Sequence, residues 1–164
     1  MTVTVDHAKQ QAAAQLESIR SMVAAMNCDY GRLAELRELE TGNHLDKPEL
    51  DELADLIAAA TIDGDELDAD TARERIQDDA LSVEVRSGWY SLGMEGCDSS
   101  PAEYCILLCT GGPACRIVGA LDRGEPSSAH LEYQDWGTPW TEYWVSAADE
   151  AILLDYARCF YFGE

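Results

Sequence analysis

Twelve of the thirteen aromatic side chains lie from Trp89 onward, with Tyr30 the exception, while the first eighty residues are rich in Ala, Leu, Glu and Asp. That partition, together with a change of hydrophobic period near Leu81, divides the chain into two kinds of structure. The expected class is α+β: an acidic N-terminal helical unit over 1–80, then an antiparallel β-sheet meander with a closing C-terminal helix over 81–164. The chain has 164 residues, 46% of them hydrophobic, which is enough for one domain or two small ones with a true core.

From Ala8 to about Asn27, the residues Ala12, Leu16, Ile19, Val23 and Met26 recur at spacings of three and four. This is the stripe of an amphipathic helix. Leu33, Leu36 and Leu39 repeat the pattern over 30–40 and suggest a helical hairpin. In LDKPELDELADLIAAA, Asp46 is the expected N-cap, Pro48 lies in the first turn and Glu49 takes the capping-box position. Leu50, Leu53, Ile57 and Ala60 are its expected buried stripe. TIDGDELDAD then reads as an acidic turn, with Thr71 and Glu74 capping a short helix to about Asp79.

Beyond Leu81, Val83 and Val85 alternate with Glu84 and Arg86. EYCILLCT and ACRIVGAL flank a turn at Gly111, Gly112 and Pro113, and AHLEYQDW follows the turn RGEPSS. Short connections in succession favour an antiparallel meander of three to five strands. TEYWV is a candidate edge strand. SAADEAILLDYARCF reads as the closing helix, with Ser146 as N-cap, Asp149 at N3, and Ile152, Leu153, Tyr156 and Phe160 facing the sheet.

The chain carries 32 carboxylates against 11 Lys and Arg, a formal charge of −21. A small domain usually holds a net charge of roughly 2 to 8 in magnitude, because a larger excess makes the compact state repel itself. Between Asp46 and Asp79 there are thirteen carboxylates and three basic residues, so close to half of the excess sits in a fifth of the chain. Glu49 with Glu52, and Asp51 with Asp55, stand three or four residues apart, a spacing of roughly 5–6 Å on one helix face. Like charges placed so cost a few tenths of a kcal/mol each, so local stability does not account for them. Such rows are comparable in spacing to the phosphates of a nucleic-acid strand and suit a groove lined by Lys and Arg.

In size, charge and the carboxylate rows over 46–79, the chain resembles the small acidic anti-defence proteins of phages and plasmids, which include DNA-mimic anti-CRISPR and anti-restriction proteins. The resemblance rests on charge pattern, not on an aligned motif. It implies a non-enzymatic inhibitor in the host cytoplasm that blocks a DNA-binding or PAM-reading surface of a CRISPR or restriction nuclease. The expected partner is the basic protein surface of a nucleic-acid-binding complex. Neither nucleic acid nor membrane is expected to bind directly, and a homodimer is a further option. The residues expected at that contact are Glu49, Asp51, Glu52, Asp55, Asp63, Asp65, Glu66, Asp68 and Asp70, joined by Asp135, Trp136, Trp140 and Glu142 from the aromatic run YQDWGTPWTEYW. Tryptophan and tyrosine give large contact area at low entropy cost and stack on arginine. If buried, the same run instead pins the closing helix to the sheet.

A rival class is a metal-binding or catalytic protein. Asp63, Asp65 and Glu74 fall at positions 1, 3 and 12 of an EF-hand, but Leu67 stands at position 5 and Asp68 where a glycine is required. Cys105 and Cys109 match a zinc pair nominally, yet in a strand they lie roughly 13 Å apart, and Cys97, Cys115 and His130 supply no clear second pair. His7, His44 and His130 offer no ordered nucleophile–base motif, and no nucleophile elbow, Walker loop or dinucleotide fingerprint occurs. The expectation is therefore no catalytic residue, metal or cofactor, with buried reduced thiols. Two further readings need no partner: a plainly solvated acidic face, and adaptation to high salt, which two lysines against nine arginines would fit. The N-terminus shows no secretion signal and no apolar run approaches the length of a bilayer span, so a soluble cytoplasmic protein is expected.

Overall fold

The computed structural model describes residues 3–93 and 99–163. The expected α+β class is observed. Two units emerge: a helical unit, Arg20–Ile76, and a sheet unit formed by Met1–Ile19 with Gln77–Glu164. The division thus differs from a simple cut at residue 80, because the first nineteen residues group with the sheet.

Helix α1 runs over Val3–Met26 and places Ala8, Ala12, Leu16, Ile19 and Val23 in buried positions, as its period requires. His7 lies on this helix, exposed. Helix α2, Tyr30–Thr41, starts where the Asp29 side chain accepts the Arg32 backbone N–H. Helix α3, Lys47–Ala60, has the full capping box: Asp46 accepts from the Glu49 N–H and Glu49 accepts from the Asp46 N–H, each at 3.0 Å. Leu33, Leu36, Leu53 and Ala60 form the helical unit's core, with Cys28, Tyr30, Leu45, Leu56 and Ile57 packed against it. Leu50 was expected in this stripe but is 46% exposed. At 100° per residue it stands off the Leu53–Ala60 line, and Leu56 takes the inward position instead.

The acidic turn is a tight hairpin of β1, Thr61–Ile62, and β2, Asp65–Glu66. Asp63 and Gly64 both have positive φ, 53° and 89°, the requirement of a two-residue type I′ turn, which Asp-Gly meets at little strain. Helix α4, Ala69–Asp79, follows. Its cap is Asp68, whose side chain accepts the Thr71 N–H, and not Thr71 itself as the sequence suggested.

In the sheet unit, β3 (Ser82–Ser87), β4 (Pro101–Cys109), β5 (Ala114–Asp122), β7 (His130–Gln134) and β8 (Thr141–Glu142) lie side by side in that order, all antiparallel. β6, Glu125–Pro126, folds back on the end of β5. The first connection, 88–100, is longer than expected, and TEYWV contributes only two strand residues. Register rows alternate between two faces. Val83, Ile106, Ile117 and Leu131 form one row of the inner face, where the last three are fully buried. Glu84, Cys105, Val118 and His130 form a row of the other. Helix α5, Ala147–Ala157, packs against β7 and buries Leu153, Tyr156 and Ala157. Ser146 caps it as expected, accepting the Asp149 N–H.

Gly119 is required by close approach: a Cβ there would meet the Ser128 carbonyl oxygen at 1.9 Å. That carbonyl also accepts the Tyr104 hydroxyl at 2.8 Å, and Phe162 stacks on the Tyr104 ring at 4.7 Å. Within the sheet unit a part-buried hydrogen-bond chain joins Gln15, Asp79 and Tyr156: Tyr156 donates to Asp79 at 2.7 Å, and Gln15 donates to the same oxygen at 3.3 Å.

Candidate functional site

The helical unit holds fifteen carboxylates and six basic residues. Fourteen of the fifteen are exposed, Glu49 being half-buried. A core this small has no place for an ion, so every charge points outward by the cost of desolvation. The expected contact residues then separate into three groups.

Glu52, Glu66, Asp63 and Asp51 are answered within the unit. Arg32 holds Glu52 through two parallel N–H···O bonds at 3.0 and 2.9 Å, a fork geometry that joins α2 to α3. Arg37 donates to Glu66 at 2.6 Å, Arg75 pairs with Asp63, and Lys47 lies 3.6 Å from Asp51. The guanidinium beside each holds Glu52 and Glu66 below the usual carboxylate range. Glu49 and Asp68 form the second group and accept backbone N–H groups as helix caps; those bonds, from Thr71 above all, lower Asp68 as well. Asp55, Asp65 and Asp70 form the third. All three are exposed, and none has a cationic side-chain partner among the described residues. Asp51 and Asp55, one turn apart, lie on the side of α3 away from Leu53 and Ala60.

Asp135, Trp136, Trp140 and Glu142 belong to the sheet unit. Trp136 is 80% exposed at a turn that Asp135 closes, its carboxylate accepting the Trp136 N–H at 2.8 Å. Trp144 is 82% exposed. These two rings do not pin the closing helix. Trp140 is half-buried beneath Arg116, whose guanidinium carbon lies 4.1 Å from the ring centroid. Glu142 lies 3.5 Å from the His130 imidazole. Trp140 and Glu142 therefore already have partners inside the chain, while Trp136 has its face free for another molecule.

Sequence reasoning missed a cleft of about 580 Å³ on the outer face of the sheet, lined by Glu84, Arg86, Glu103, Cys105, Arg116 and His130 among others. Arg116 bridges to Glu132 at 2.7 Å and Arg86 pairs with Glu103. The signal was present as period-two polar positions on four strands. What the sequence did not reveal was that they line one concave cleft.

The metal and thiol readings meet specific geometry. The Asp63–Gly64 hairpin and helix α4 occupy the residues that an EF-hand would need as one twelve-residue loop, and Asp63 faces Arg75. Cys105 and Cys109 share β4, and Cys109 is the register partner of Cys115. Burial first, then the Cys109 thiol, pushes Cys115 up to about 12; burial also raises Cys105 against the pull of Arg116. Both environments disfavour the thiolate that attacks substrates or binds zinc. Cys97 lies outside the described residues. Among the described residues, no three His, Cys, Asp or Glu side chains converge into a metal-sized cluster, and no helix is long and apolar enough to cross a membrane. No family model, no curated protein and no solved structure matches this chain.

Proposed function

We propose that the chain is a non-enzymatic inhibitor whose helical unit presents a carboxylate face to a Lys/Arg-rich protein groove that otherwise holds nucleic acid. A CRISPR or restriction nuclease complex is the partner class that fits its size and charge. The observation that supports this most is the third group of carboxylates. Asp55, Asp65 and Asp70 are exposed on α3, the hairpin and the start of α4, and among the described residues none forms an ion pair with a cation of the chain. Asp51 extends the row through an ion pair to Lys47 that is itself exposed, and therefore easily exchanged. Binding would release the counterions held by the partner's cationic groove, the same gain that drives DNA into it.

Purified nuclease complexes of both kinds, assayed for duplex-DNA binding with and without this protein, test the proposal. Inhibition is expected, competed by duplex DNA and weakening as salt rises. Replacing Asp55, Asp65 and Asp70 together by Lys should abolish it. Glu49 and Glu52 are unsuitable for that test because each also holds the fold. Inhibition that ignores salt, or survives the triple reversal, rejects this surface.

A further inference from the structure

We infer that the outer edge of β3 is a self-association surface, on which two copies pair antiparallel about a two-fold axis through Val85. Among the described residues β3 has a strand partner on one side only, β4. Its other side is a six-residue row of backbone groups, and such edges are ready templates for another strand. Natural edges are blunted by shortness, proline, charged side chains, inward-pointing charge or bulges; β3 carries charge only at Glu84 and Arg86 of its outer face, and the irregularity in its pairing falls at its end, between Arg86 and Ser87. The opposite edge, β8, is only two residues long. β3 has no proline, and its inner-face positions are Val83, 39% exposed, and Val85, 46% exposed. Leu81, just before the strand, and Trp89, just after it, are 59% and 107% exposed.

Sequence decides the occupant. In an antiparallel pair that keeps the inner faces on one side, the two-fold axis passes through a single residue of each copy. Centring on Glu84 opposes carboxylate to carboxylate, and centring on Arg86 opposes guanidinium to guanidinium. Centring on Val85 places Glu84 of each copy opposite Arg86 of the other, twice, while Val85 meets Val85, with exposed Leu81 and Trp89 flanking the strand. Opposite charges and apolar pairs directly across a ladder are the contacts that stabilise it. The segment is thus complementary to itself in charge and apolarity in one register, the condition for an isologous interface. A second copy of this chain is the occupant.

Sedimentation velocity on the whole protein in about 0.15 M salt, where repulsion between the acidic chains is screened beyond roughly 8 Å, tests this. A species of twice the 18.0 kDa chain mass is expected. Glu84→Arg alone and Arg86→Glu alone each put like charges across both pairs and should weaken the dimer at least about tenfold. An equimolar mixture of the two variants should restore it, because the mixed pair again joins opposite charges. Amide protection confined to 82–87 should also rise with concentration in the unaltered protein. A wild-type species of 18.0 kDa at every concentration overturns the inference. So does a dimer indifferent to both substitutions, a mixture no tighter than either variant alone, or concentration-independent exchange at 82–87.

Discussion

The helical unit and the sheet unit solve the same problem, a large excess of negative charge, in different ways. The sheet unit buries large side chains, among them Tyr104, Ile106, Ile117, Leu131, Tyr156 and Phe162, and uses carboxylates as acceptors inside that framework. Asp79 takes the Tyr156 and Gln15 donors, and Asp149 accepts from the Ser146 hydroxyl at 2.7 Å. The helical unit has four buried residues in its core cluster, one of them alanine. It keeps nearly all its carboxylates in water and closes itself from outside, through arginine forks and helix caps. The difference teaches that the sheet unit turns a few of its carboxylates inward as acceptors, whereas the helical unit keeps nearly all of its own at the surface, where several also cap helices or pair with arginine.

The largest expected effect separates the two cores. Ile117→Ala should cost about 2–5 kcal/mol, toward the upper end, because Ile106 and Leu131 flank it in the ladder and cannot collapse into the space. Leu36→Ala should fall toward the lower end, since half-buried Leu56 and Ile57 can shift inward. Urea unfolding measures both; a reversed order would break the comparison. Next is Tyr156→Phe, expected to cost about 1–3 kcal/mol by removing a buried donor from a carboxylate. A neutral result would show that Gln15 alone satisfies Asp79.

Caps come next. Asp46→Ala and Ser146→Ala should each cost about 1 kcal/mol, one in each unit, read from chemical denaturation. The smallest effect is on acid sensitivity. Glu52, Glu66 and Asp68 are held below their ordinary values in the folded state, so the unfolded chain takes up protons first as pH falls. Their contribution is complete above the ordinary carboxylate range near 4, declines through it, and is gone below the lowered folded values. Helical melting followed by circular dichroism should therefore drop below about pH 4, and less steeply in Glu52→Gln with Glu66→Gln. An unchanged slope in the double variant would remove the Arg32–Glu52 and Arg37–Glu66 pairs from the account.

Local signals were legible because their physics is local. The box at Asp46 and Glu49, the cap at Ser146, the stripe of α1 and the alternation at Val83 and Val85 each depend on residues a few positions apart. The placement of residues 3–19 of α1 with the sheet was not legible, because an amphipathic stripe states that a face is buried and not against what. The same limit hid the cleft around Cys105 and Arg116, the exposure of Trp136 and Trp144, and the outward turn of Leu50. At the candidate surface, the sequence showed where carboxylates cluster. It did not show that Arg32 and Arg37 answer Glu52 and Glu66, partners twenty and twenty-nine residues apart.

The most direct test is the salt dependence of binding between this protein and a nuclease complex of the proposed partner class, measured for the native chain and for Asp55→Lys, Asp65→Lys, Asp70→Lys combined. The native chain should show affinity falling linearly with the logarithm of salt concentration, and the variant a shallower slope with little binding left. Equal slopes and equal affinities for the two would contradict the account.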